Sequence, residues 1–142
     1  MDESLKLLIE YGIIGILVLL SIFVVGLGID KWFFYRSFDL DRYKERVEVE
    51  IVLTKNLTFI YTVAANAVYI GLLGTVLGIM LTFSSLGDAG MIDAKMIMKN
   101  LSYTLIATAA GLVVAIPSMA IYNALARQVE IIMARWDARH GH

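Results

Sequence analysis

Between Leu101 and Ala126 the chain reads LSYTLIATAAGLVVAIPSMAIYNALA, 26 positions without a charged residue. At ~1.5 Å of rise per residue, a helix of that length outreaches the ~30 Å hydrocarbon core of a bilayer. Lipid offers backbone groups no hydrogen-bond partners, so such a stretch crosses as a helix. Two further runs share this character: Tyr11 to Ile29, 19 uncharged residues between Glu10 and Asp30, and Asn56 to Gly87, 32 uncharged residues. Apolar residues make up 59% of the chain, above the roughly 45–50% usual in soluble domains. The fold class expected is all-α and integral to the membrane. One unit over 1–142 is expected, with transmembrane helices at about 11–33, 58–86 and 100–126.

Two of these helices carry stripes of small residues. Ala67, Gly71, Gly74 and Gly78 recur at spacings of four, three and four, and Gly74 to Gly78 is a GxxxG pair. In the third run Thr104, Thr108, Gly111, Ala115 and Ser118 fall on one helical face. Small residues let helix backbones approach closely, and hydroxyls can bond across the contact. Pro117, the chain's one proline, removes a backbone hydrogen bond in mid-helix and favours a kink there.

The flanks set the orientation. Met1 to Glu10 is short and acidic, unlike the basic start of a cleaved leader. Trp32, Phe33, Phe34 and Tyr35 form an aromatic belt at the end of the first span. From Asp39 to Lys55 apolar Leu40, Tyr43, Val47 and Ile51 mix with charges, as in an amphipathic helix leading directly into the second span. Gly87 and Gly90 are expected to end that span, and Met91, Ile92, Met96, Ile97 and Met98 to open the third helix. Val129, Ile132, Met133 and Trp136 extend the third helix amphipathically into water. Segments 30–56 and 127–142 carry nine of the twelve Lys and Arg residues. The positive-inside rule then places both in the cytoplasm and the N-terminus outside.

Composition also removes functions. There is no Cys, so thiolate chemistry and disulfides are out. A net charge of −1 argues against a nucleic-acid surface. The GLLGTVLG run is no phosphate loop, because it lies inside an apolar helix with no preceding strand. No nucleophile, acid–base set, metal-ligand set or cofactor motif lies at membrane depth, so no enzyme is expected. His140 and His142 sit in a short tail and do not make a metal site. Neither 57–86 nor 101–126 holds Asp, Glu, Lys, Arg or His, and moving ions through a membrane ordinarily requires an ionisable group at membrane depth. If the chain conducts, the carboxylate comes from a partner.

The run AVYIGLLGTVLGIM from Ala67 to Met80, followed by Phe83, and the third span SYTLIATAAGLVVAIPSMAIYN resemble the ExbB/TolQ/MotA proton-channel family, in its three-span ExbB/TolQ branch. The resemblance runs over about 8–138 and implies an inner-membrane energiser of Gram-negative bacteria. It implies a homopentamer whose second and third helices surround a pore. That pore would hold an ExbD-like single-span partner whose membrane aspartate carries the proton. The complex would use the proton gradient to drive a TonB-like protein, and so outer-membrane uptake of iron-siderophores, cobalamin and metals. The Tol-Pal envelope-maintenance role is the alternative within the branch.

On this resemblance the pore-facing threonines are Thr75 and Thr108, with Thr82 and Thr104 as nearby candidates. Their hydroxyls could bond the partner's aspartate; alternatively each back-bonds to a carbonyl of its own helix. Helix packing falls to Ala67, Gly71, Gly74, Gly78, Gly111, Ala115, Pro117 and Ser118. Two positions depart from the family pattern. Tyr103 stands where enterobacterial relatives carry glutamate, and Ala67-Val68 where they carry Ala-Pro. A reading from a different class is a passive membrane scaffold, whose stripes build an oligomer and move nothing.

Overall fold

The structure is a computed structural model that describes residues 2–89 and 93–141. Gly90, Met91, Ile92 and His142, which figure in the expectations above, lie outside the described residues. Four helices follow one another: α1 (Asp2–Arg36), α2 (Arg46–Thr54), α3 (Leu57–Ala89) and α4 (Ala94–His140). Segments Ser4–Arg36, Leu57–Gly87 and Ala94–His140 are long and apolar enough to cross a membrane, matching the three expected spans.

Contacts between named residues fix the topology. Gly71 faces Ala107 and Gly111, Gly78 faces Thr104, and the rings of Tyr61 and Tyr122 lie 5.1 Å apart, so α3 and α4 run antiparallel. Ile13 reaches Gly74 and Ile121 reaches Gly28, so α1 lies antiparallel to α3 and alongside α4 in the same direction. Ile13, Leu17 and Val24 are the buried face of α1, and Ile60, Val63 and Ala67 that of α3. The opposite sides are apolar and exposed: Ile22, Phe23 and Phe33 on α1, Tyr69, Met80 and Phe83 on α3, Val113 and Ile116 on α4. Exposed apolar surface on this scale fits lipid or further helices rather than water.

The connectors differ from expectation. Helix α1 begins at Asp2 rather than near 11, because Leu5, Leu7, Leu8 and Ile9 continue its apolar content through the charged start. The segment 34–57 is not one helix leading into the second span. It turns after Arg36, where Asp39 accepts the N–H of Asp41 at 2.9 Å and Phe38 stacks on Tyr43 at 5.7 Å. Helix α2 is only nine residues long. Asn56, at φ 68°, then breaks the chain before α3; asparagine tolerates this left-handed conformation better than most residues.

Helix α4 is the long element, 47 residues continuous through Pro117. Proline cannot donate to the Val113 carbonyl; one residue on, the Ser118 hydroxyl donates to the Val114 carbonyl at 2.7 Å. Beyond the membrane-length stretch, α4 continues to His140 as the expected amphipathic extension, its apolar side packed on α2. Trp136 is 1% exposed there and donates its indole N–H to the Tyr43 carbonyl at 3.1 Å. Surface pairs Arg139–Asp41 at 2.8 Å and Arg46–Asp137 at 3.2 Å flank it. His140 stacks on Trp136, ring centroids 4.2 Å apart, and its Nδ1 lies 3.0 Å from the Trp136 carbonyl.

Candidate functional site

Gly71 and Gly111 bring two backbones into contact. A Cβ built on Gly71 would stand 2.6 Å from the Ala107 carbonyl oxygen, and one on Gly111 would stand 2.6 Å from that of Ala67. Gly74 lies where three helices converge, with Ala107 Cβ and Ile13 Cδ1 2.8 and 2.9 Å from the position its Cβ would take. Gly78 leaves the room that the Thr104 side chain fills. Ala67, Ala115 and Ser118 are buried along the same seam. The two stripes therefore pack on each other within one chain. Pro117, by contrast, lies on the exposed side of α4.

This close approach brings the threonines together. Thr75 is buried and Thr108 half-buried, and their hydroxyls bond each other across the α3–α4 contact. Thr75 Oγ1 also lies 3.3 Å from the Gly71 carbonyl and 3.4 Å from that of Thr104. Thr75 can thus back-bond to its own helix, as one of the two readings expects, and also pair with Thr108 across the seam. Thr82 and Thr104 do not join this pair. Both are buried, Thr82 donating to the Gly78 carbonyl at 2.9 Å and Thr104 to that of Asn100 at 3.0 Å. Tyr103 points away from the seam, exposed.

A hydroxyl has one proton and two lone pairs. When Thr75 donates to a carbonyl, Thr108 donates to Thr75 and offers lone pairs outward. When Thr75 donates to Thr108, the Thr108 proton is free to point outward. By rotating two hydroxyls the pair presents an acceptor or a donor at the exposed flank of Thr108, with no charge of its own. It can therefore serve a carboxyl group in either protonation state.

One contact escaped sequence reasoning. Lys6, near the start of α1, donates from Nζ to Thr82 Oγ1 at 3.2 Å and to the Asn100 carbonyl at 3.5 Å. One turn along α1, Glu10 holds Oε1 out of solvent with no hydrogen-bond partner among the described residues. Lys6, Ile13 and Leu17 fall on one face, so running the buried stripe of α1 backwards would have found this end. Starting the span at 11 hid it. Among the described residues no three of His, Cys, Asp or Glu gather as a metal site.

A model of the MotA/TolQ/ExbB proton channel family matches residues 34–138. The chain belongs to that family. Two relatives named ExbB or ExbB-like align almost end to end. The biopolymer transport protein ExbB-like 2 of Helicobacter pylori is 48% identical over 136 residues, covering 96% of this chain and 91% of its own. The biopolymer transport protein ExbB of Aquifex aeolicus is 47% identical over 141 residues, 99% of this chain and 95% of its own. The Tol-Pal system protein TolQ of Haemophilus influenzae is 42% identical over 80 residues, 56% of this chain and 35% of its own. Residues 57–86 of α3 and 101–126 of α4 hold no Asp, Glu, Lys, Arg or His, and the Thr75–Thr108 pair is the side-chain to side-chain hydrogen bond that joins the two helices among the described residues.

Proposed function

We propose that this chain is the channel-forming subunit of an inner-membrane complex that couples the proton gradient to TonB-dependent uptake across the outer membrane. Copies assemble as a pentamer around a pore bounded by α3 and α4. An ExbD-like single-span partner enters that pore and supplies the aspartate that carries the proton, and a TonB-like protein takes up the work. The N-terminus lies outside, and the segments 34–57 and 127–142 lie in the cytoplasm. Each proton crossing ~100 mV releases ~2.3 kcal/mol, so several are spent per event of substantial work.

The observation that carries this reading is the direct hydroxyl pair of Thr75 and Thr108 across the α3–α4 seam. A carboxyl group that gains and loses a proton in hydrocarbon needs neighbours that follow it without adding charge, and the pair does so. The uptake role is favoured over the Tol-Pal role because relatives named ExbB align over nearly their whole length, whereas the TolQ relative aligns over 35% of its own.

The test is Thr75→Val and Thr108→Val, which keep shape and remove the hydroxyl. Oligomer size in mild detergent is expected to stay unchanged while energised uptake is lost; the Ser variants at both positions retain it. Normal uptake in both Val variants would sink the role of the pair. A pull-down from native membranes separates this reading from a passive scaffold. A coupled channel brings down a small single-span protein with one membrane aspartate, and a scaffold comes down as a homo-oligomer alone.

A further inference from the structure

We infer that a cleft between the last turns of α1 and the α2–α3 junction binds the phosphate headgroup of an anionic phospholipid. The cleft, about 500 Å³, is lined by Asp30, Lys31, Phe34, Ile51, Val52, Lys55 and Asn56. Its decisive member is Lys31, which is only 5% exposed. An ammonium held that far from water needs a counter-charge, yet among the described residues no carboxylate lies within ion-pair distance of it. Among the described residues its one hydrogen bond is to the Val52 carbonyl, at 3.4 Å. The rings of Phe34 and Tyr35, with centroids 5.3 and 5.0 Å from Nζ, offset part of the desolvation. An ammonium has three donors, so two N–H groups remain for an anion.

The surroundings specify which anion. Lys55 stands exposed on the far wall and Asp30 is exposed, so the lining sums to one positive charge, the complement of a phosphodiester. The cleft lies level with Trp32, Phe33 and Tyr35, where belts of aromatic residues meet lipid headgroups. Phe34 and Ile51 give it apolar walls, and exposed Phe23 continues the face of α1 towards the hydrocarbon. An anion with acyl chains satisfies all of these features. Basic pockets between helices at a membrane surface are a recognised setting for such headgroups.

The experiment is native mass spectrometry of the full-length protein released from bilayers of equal phosphatidylglycerol and phosphatidylethanolamine. Retention of phosphatidylglycerol is expected to exceed that of the zwitterionic lipid at least fivefold, about the effect of one lysine beside an anionic surface. Lys55→Gln, on the exposed wall and harmless to packing, should lower that retention about fivefold with oligomer size unchanged. Lys31→Gln should lower it at least as much. Equal retention of the two lipids, or no change in Lys55→Gln, overturns the site. Displacement of the retained lipid by millimolar inorganic phosphate overturns the lipid and leaves a free-phosphate site. The readout involves neither uptake nor a partner protein, so its failure leaves the proton-channel reading standing, and Thr108→Val should keep the lipid preference intact.

Discussion

Gly71 and Gly111 hold the tightest tolerance in the molecule, because what faces each is backbone, which cannot rotate away. Gly71→Ala or Gly111→Ala sets a methyl 2.6 Å from a carbonyl oxygen, and forced overpacking costs about 1–3 kcal/mol. Either variant should show a clearly lower unfolding temperature in detergent, whereas Gly12→Ala and Gly15→Ala, with nothing within 4 Å, should leave it unchanged. Gly78→Ala falls between, since the obstacle is the Thr104 side chain, which can shift only by disturbing its bond to Asn100. At the far end of α4, Trp136→Phe keeps the ring buried but deletes its bond to the Tyr43 carbonyl. A cost of about 1–2 kcal/mol is expected, read from the same thermal scan. The small-residue stripes were legible as contact faces because their period is helical. Which surface they meet was not: a stripe that packs on its own chain and one that packs on a copy have the same spelling. The pairing of Thr75 with Thr108 has the same standing, since it depends on the vertical offset of α3 against α4, which side-chain size at the crossing decides.

Among the elements, the three spans were readable because an uncharged run of hydrocarbon length has one good solution. The connector between the first two was not. The alternation of apolar and charged residues over 39–55 fits a helix, yet the chain turns at Asp39 and again at Asn56 so that α2 can lie against α4 and help bury Trp136. Tertiary packing outweighed local pattern there. The break at Asn56 gives a sharp test. Left-handed backbone costs an ordinary L-residue about 1–2 kcal/mol and glycine almost nothing. Asn56→Gly should therefore be neutral, while Asn56→Val should lower the thermal midpoint of helix loss followed by circular dichroism. The start of α1 was missed for a different reason: charge was taken as the end of the helix, although Glu10 and Lys6 are tolerated inside it.

At the scale of the whole molecule, the proposed topology of three alternating crossings puts Ser4 and Arg139 on opposite sides of the membrane. The chain has no cysteine, so single cysteines report cleanly. Ser4→Cys should react with a membrane-impermeant maleimide in intact spheroplasts, and Ala138→Cys only after permeabilisation. The reverse pattern would invert the topology. The seam itself has one mechanical consequence. Helix α4 is a continuous rod of about 70 Å, and from Gly111 to its C-terminal tip is about 43 Å. The Gly71–Gly111 touch point is thus a fulcrum set off-centre on a long arm. A swing of about 5° about that point sweeps the His140 tip through about 4 Å, and Trp136 and Arg139 drag the turn after α1 along with it. Displacements too small to open a gap between packed helices become, at the tip, motions as large as a side chain.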